Sequence, residues 1–148
     1  MHQVRATWAQ RHGGQPLQFA VLALQTARKA VELGPESTDA AIEEARAYVR
    51  LAVLREPEAR RELLAEGLAA VDKGLKTRAG SGTLQALRAV VLKEQSRLAP
   101  EPAAQASLAR ESALCWERAL AINPLLAREY GPELERPGDG LRAKEGTK

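Results

Sequence analysis

Residues 16–35 read PLQFAVLALQTARKAVELGP and form the clearest periodic segment of the chain. The apolar residues of this segment recur every three or four positions, a spacing that places them on one face of an α-helix: Leu17, Ala20, Leu24, Ala27 and Val31. Pro16 suits the first turn of a helix, and Gly34-Pro35 ends one. The segment therefore predicts one long amphipathic helix.

The same pattern of apolar spacing and proline or glycine breaks extends in both directions from this helix. We predict helices over about residues 1–11, 39–55, 57–78, 83–98 and 102–122, and a short helix from Leu125 to Tyr130. In the 102–122 helix, the predicted inner face holds Ala106, Ala109, Ala113, Trp116 and Leu120. No alternating run of β-branched or aromatic residues predicts a strand, so the predicted fold class is all-α.

Three of these helices end in similar stretches, KAVELGP at 29–35, KGLKTRA at 73–79 and RALAINP at 118–124. Their basic first residues lie 44 and 45 positions apart, and each interval contains two helices with a proline break between them. Two amphipathic helices alone cannot bury both apolar faces, whereas stacked pairs share one core. The spacing predicts antiparallel helical hairpins stacked into a solenoid.

The stretches KAVELGP and RALAINP resemble the closing helix of tetratricopeptide repeats. The longer stretch ERALAINPLLAREYGPELER, residues 117–136, resembles the repeats that follow the kinase domain in some large bacterial serine/threonine protein kinases. The tetratricopeptide resemblance implies a short right-handed α-solenoid. The repeat is longer than 34 residues and the 83–98 helix has no aromatic residue, so a HEAT-like geometry stays open.

These observations predict one helical-repeat domain over residues 1–136, followed by a flexible polar tail over 137–148. Within the domain we expect about six long helices, arranged as hairpins at about 1–35, 36–80 and 81–124, with a terminal helix at 124–136. The tail contains glycine and charged residues but almost no apolar residue that could offset the entropy of ordering it.

The composition argues against catalysis and against a resident cofactor or metal. The 148 residues include one Cys and two His, and His2 and His12 have no partners at metal-ligand spacing. We expect Cys115 to be a buried structural thiol, and Trp116, like Trp8, to belong to the core. We therefore predict that the protein is not an enzyme.

The chain has no apolar run long enough to span a membrane and begins without a secretory signal pattern. This predicts a cytoplasmic protein without a membrane partner, although a piece of a longer protein would look the same. The abundance of Arg, Ala, Gly and Pro suggests a bacterial source. A net charge of +3, with Arg and Glu interleaved in the second hairpin, argues against a nucleic-acid partner.

If the chain is a tetratricopeptide-like array, the first helix of each hairpin lines a concave groove. That implies Arg46, Arg50 and Arg88 as contacts for an acidic peptide; the alternative is that these arginines are solvated helix-favouring residues. The predicted function is a non-catalytic scaffold or regulatory module that binds a protein or peptide. The alternative is a helical self-association domain that oligomerises a larger protein, and a free apolar edge on a terminal hairpin would favour it.

Overall fold

The computed structural model describes residues 16–135. It contains six α-helices, α1 Pro16–Leu33, α2 Thr38–Ala52, α3 Pro57–Thr77, α4 Gly82–Leu98, α5 Pro102–Ile122 and α6 Leu126–Leu134. No strand occurs among these residues, and the all-α fold class is confirmed. The helix predicted over residues 1–11, Trp8, both histidines and the predicted tail lie outside the described part of the chain.

The helix ends follow local side-chain chemistry. The Ser37 hydroxyl accepts a hydrogen bond from the Ala40 N–H at 3.1 Å, and the Ser81 hydroxyl accepts one from the Leu84 N–H at 3.2 Å. Each hydroxyl thus satisfies a backbone donor that has no partner inside its own helix. Each serine lies two residues before the predicted start of a helix, at residues 39 and 83.

The predicted helix end at residue 55 is wrong, because α2 ends at Ala52. The Arg60 guanidinium, from the following helix, donates hydrogen bonds to the carbonyls of Ala52, Val53 and Arg55 at 3.0, 3.2 and 3.0 Å. The last carbonyls of a helix have no intrahelical donor. Arg60 adds a side-chain donor at this end of the helix, beside the Arg55 N–H that donates to the Ala52 carbonyl at 3.1 Å.

The chain divides into two compact units, residues 1–79 and 80–148, and the first contains α1, α2 and α3. Helix α2 packs against both α1 and α3 through short connections, a hairpin-like arrangement. One core cluster joins α1 to α2, with Val21 and Leu63 packed against it, and consists of Ala20, Leu24, Ala27, Ala47, Tyr48 and Leu51.

The second unit is built around α4, which contacts both α5 and α6. Buried residues occur along most of α4, including Leu84, Val91 and Leu92. The Lys93 Nζ donates to the Leu134 carbonyl at 2.6 Å and so holds the end of α6 against α4. The unit boundary after Ala79 lies next to the predicted limit between hairpins 36–80 and 81–124, while the single 1–136 repeat domain stays a prediction.

The predicted inner face of α5 is wrong in part. Ala106, Ala109 and Ala113 are exposed, and the buried residues of α5 are Ser112, Cys115, Trp116 and Ala119. A buried serine is tolerated here because its hydroxyl donates to the Ala89 carbonyl of α4 at 2.7 Å. The burial of Cys115 and Trp116 confirms the predicted positions of both side chains.

Helix α6 also runs further than the predicted stop at Gly131-Pro132. It continues to Leu134 with Pro132 inside it, and the Glu135 N–H donates to the Gly131 carbonyl at 2.8 Å. A proline inside a helix removes its own N–H donor and crowds the carbonyl four residues earlier, but the N–H groups that follow it can still form helical hydrogen bonds. The predicted terminal helix at 124–136 therefore corresponds to α6.

Two glycines at the start of α4 offer a matched test of packing. A Cβ on Gly82 would lie 3.0 Å from Leu126 Cδ1 and 3.2 Å from Ile122 Cγ2, whereas a Cβ on Gly80 would meet nothing within 4 Å. We expect Gly82→Ala to lower the free energy of unfolding by about 1 kcal/mol. Gly80→Ala should leave it unchanged or raise it by about 0.5 kcal/mol. Urea unfolding checks both, and equal effects would contradict a close approach at Gly82.

Candidate partner-binding surface

Two of the three predicted partner contacts lie together on α2. Arg46 and Arg50 are one helical turn apart and project from the same side of the helix. The Arg46 Nη1 lies 3.0 Å from the Glu43 Oε1, with 25% of the Arg46 side chain exposed. Arg50 is exposed in the last turn. Within the part of the chain that the structure describes, it forms no hydrogen bond or ion pair.

Apolar side chains extend this basic surface at the end of α2. The backbone stays helical through Val53, with φ −67° and ψ −14°, so Val53 projects on the same side as Arg46 and Arg50. Val53 is 47% exposed, and the adjacent Leu54 is 44% exposed. We call Arg46, Arg50, Val53 and Leu54 the α2 surface.

The sequence analysis missed the two apolar members of this surface. Val53 and Leu54 fall within the predicted 39–55 helix but outside its predicted apolar stripe, which consists of Ile42, Ala45, Val49 and Ala52. Because these two apolar residues lie outside the stripe that faces the core, the sequence could have indicated that they are exposed. Their exposure depends on where α2 ends, and that point is fixed by Arg60 from the next helix.

Arg88, the third predicted contact, lies on α4 in the second unit and makes contacts within that unit. Its Nη1 donates to the Cys115 Sγ at 3.1 Å, and its Nη2 lies 3.0 Å from the Glu111 Oε1. These contacts link α4 to α5 through a charge-assisted pair. A role for Arg88 in partner binding stays a prediction.

A small cavity lies in the first unit, where the α1–α2 turn meets the C-terminal part of α3. Its volume is about 10 Å³, the lower limit for a single water molecule, and Thr38, Glu44 and Lys73 are among its lining residues. The Thr38 Oγ1 is buried and has no hydrogen-bond partner among the described residues.

Burial raises the pKa of Glu44, and the nearby Arg28 and Lys73 oppose that shift. Burial also raises the pKa of Tyr48, again against the attraction of Arg28. Both groups therefore favour their neutral forms more than they would in water. Glu44 and Tyr48 thus lie on α2 near one basic residue of α1, Arg28, and Glu44 also lies near one of α3, Lys73.

Neither a metal centre nor a membrane span is present in the described range. Among residues 16–135, no three His, Cys, Asp or Glu side chains are placed to hold a metal ion. None of the described helices combines the length and apolar character that crossing a bilayer requires.

The sequence matches no protein-family model, and no curated protein sequence is similar to it at a significant level. The resemblances to tetratricopeptide repeats and to kinase-associated repeats therefore stay predictions.

Proposed function

We propose that the protein is a non-catalytic interaction module that binds an acidic, partly apolar segment of a partner protein through the α2 surface. The observation that supports this function is the exposed Arg50 beside the exposed Val53. The resemblance to tetratricopeptide repeats and the arginine-rich composition, which suggest a bacterial cytoplasmic scaffold, agree with this proposal.

The chemistry of the α2 surface selects the kind of partner. An arginine guanidinium forms paired hydrogen bonds with a carboxylate, and such charge-assisted bonds are stronger than neutral ones. Val53 and Leu54 add apolar area next to the charge. Binding energy in protein interfaces comes mainly from a few residues at a packed centre. A peptide that places an acidic residue next to a leucine or aromatic side chain would meet both features.

The test is selection from a randomised peptide library displayed on phage, with the whole protein as bait. We expect the recovered peptides to be acidic and to contain apolar residues. Arg50→Glu should weaken their binding at least about tenfold, because it places like charges opposite each other. Arg118→Glu, a charge reversal at an exposed position of α5, is the matched control and should leave binding unchanged. Peptides that bind Arg50→Glu as tightly as the wild type would contradict the proposal.

Self-association is a second candidate function, and the exposed apolar residues on α5 and just beyond it favour it. Leu114 is 51% exposed, Ile122 is 48% exposed and Leu125 is 66% exposed. Light scattering at several concentrations tests this second function. A constant mass near 16.0 kDa argues against self-association, whereas a mass that rises toward a multiple supports it, and peptide binding at the α2 surface is compatible with either result.

A further inference from the structure

Helix α5 exposes a continuous face on the side opposite its buried residues. Ser112, Cys115 and Ala119 point into the second unit. The opposite side is exposed along five turns of the helix, and it is formed by Ala103, Ala106, Arg110, Ala113, Leu114, Glu117 and Ala121. We call these seven residues the α5 face.

The two charged residues of the α5 face are arranged symmetrically about its centre. Arg110 and Glu117 are seven residues apart, or about two turns, so they lie on nearly the same line along the helix. Arg110 precedes Ala113 by three residues, and Glu117 follows Leu114 by three. Within residues 16–135, neither charge forms an ion pair or a hydrogen bond with another side chain.

We propose that the α5 face binds the same face of a second copy of this chain, with the two α5 helices antiparallel. The two-fold axis passes between Ala113 and Leu114. In that register, Arg110 lies opposite Glu117 of the partner subunit, and the symmetry repeats the pair on the other side of the axis. A parallel pairing would place Arg110 opposite itself and Glu117 opposite itself, and like charges in contact are unfavourable. The charge pattern therefore selects the antiparallel orientation.

The remaining residues fit the same register. Ala106 lies opposite Ala121 of the partner subunit, and small side chains at both positions allow the helix axes to approach closely. Leu114 lies next to the axis, where both copies contribute apolar area.

This inference rests on the second proposed function, self-association, and gives that function a surface and an orientation. One helix of 21 residues, about 30 Å long, forms the contact from each copy. A contact formed by one helix from each copy is a small interface, and small interfaces, below about 1,200 Å² of buried surface, are typical of weak complexes. We therefore expect a reversible dimer whose population rises with concentration.

The test is analytical ultracentrifugation of the full chain from about 1 μM to about 1 mM, the range in which weak complexes dissociate. Arg110→Glu and Glu117→Arg should each raise the dimer dissociation constant at least about tenfold, since each places like charges together. The double variant Arg110→Glu/Glu117→Arg exchanges the two charges and should restore the wild-type constant. Lys29→Glu, at an exposed position of α1, is the matched control and should leave the constant unchanged.

A cross-linking experiment tests the orientation separately. Ala106 and Ala121 are exposed, so a cysteine at either position can react with one on another molecule. The native Cys115 is fully buried and should not compete. An equimolar mixture of the Ala106→Cys and Ala121→Cys variants should form the mixed disulfide dimer faster than either variant alone forms a disulfide dimer with itself. Circular dichroism confirms that each variant keeps the wild-type helical content.

The outcomes separate this inference from the function on which it rests. A dimer that is weakened by each single reversal and restored by the exchange supports the antiparallel α5 pairing. If both single reversals leave the dimer dissociation constant unchanged, or if Lys29→Glu raises it, the α5 pairing is overturned but self-association is still supported. A monomer throughout the concentration range overturns both.

Discussion

Replacing Leu64 with alanine is expected to lower the free energy of unfolding by about 3 kcal/mol. Leu64 lies on α3, and its side chain has no exposure to solvent. The loss combines the transfer energy of the removed methyl and methylene groups with the cost of the cavity that they leave. Urea unfolding followed by circular dichroism measures the change.

Leu33→Ala is the matched control for Leu64→Ala, because it removes the same atoms from the same unit. Leu33 is 82% exposed at the end of α1, so its truncation should change the free energy of unfolding by less than about 0.5 kcal/mol. The contrast isolates burial from helix propensity, since both substitutions replace leucine with alanine inside a helix. Equal effects at the two positions would show that Leu64 is not in a packed core.

The existence and the approximate bounds of the helices could be predicted from the sequence, because helix formation depends on near neighbours. Apolar spacing located the bodies of the helices, and the predicted starts at residues 39 and 83 lie within one residue of the observed starts of α2 and α4, where Ser37 and Ser81 cap the helices. The end of α2 could not be predicted in this way. It depends on Arg60, whose guanidinium reaches back from the next helix to the Ala52 and Val53 carbonyls.

The buried face of α5 shows a second limit of sequence reasoning. Scoring residues as apolar or polar favours a face with Ala106 and Ala113 over one with Ser112. In the structure, Ser112 is buried because the Ala89 carbonyl, 23 residues earlier in the chain, accepts its hydroxyl proton in a hydrogen bond. A polar side chain can be buried at low cost once such a partner exists, and the partner is known only after the helices are packed.

The part of the candidate surface that depends on local helix geometry could be predicted from the sequence, and the part that depends on contacts between helices could not. Arg46 and Arg50 are four residues apart on one helix, so their common face follows from helix geometry. The partners of Arg88 lie 23 and 27 residues away on another helix, so its pairing with Glu111 and its contact with Cys115 could not be read from local spacing.

Replacing Trp116 with alanine is expected to lower the free energy of unfolding by about 4 kcal/mol. The indole is 9% exposed on α5, and its Nε1 donates to the Glu135 Oε2 at 3.1 Å, just beyond the end of α6. The substitution removes a large packed ring and also a link between α5 and the C-terminal end of α6. Urea unfolding measures the total, and amide hydrogen exchange should show α6 losing protection first, because it is the shortest of the described helices.

Two further variants divide the contribution of Trp116 between packing and hydrogen bonding. Trp116→Phe keeps an aromatic ring but has no N–H donor, so we expect a loss of about 1 to 2 kcal/mol. Glu135→Gln keeps an oxygen acceptor and removes only the charge, and because Glu135 is exposed the loss should be below about 1 kcal/mol. If Glu135→Gln cost as much as Trp116→Ala, the charge on Glu135 rather than the buried ring would hold α6 in place. Burying an aromatic ring stabilises a fold more than one exposed hydrogen bond does. We therefore expect packing of the Trp116 ring to account for most of the lost free energy of unfolding.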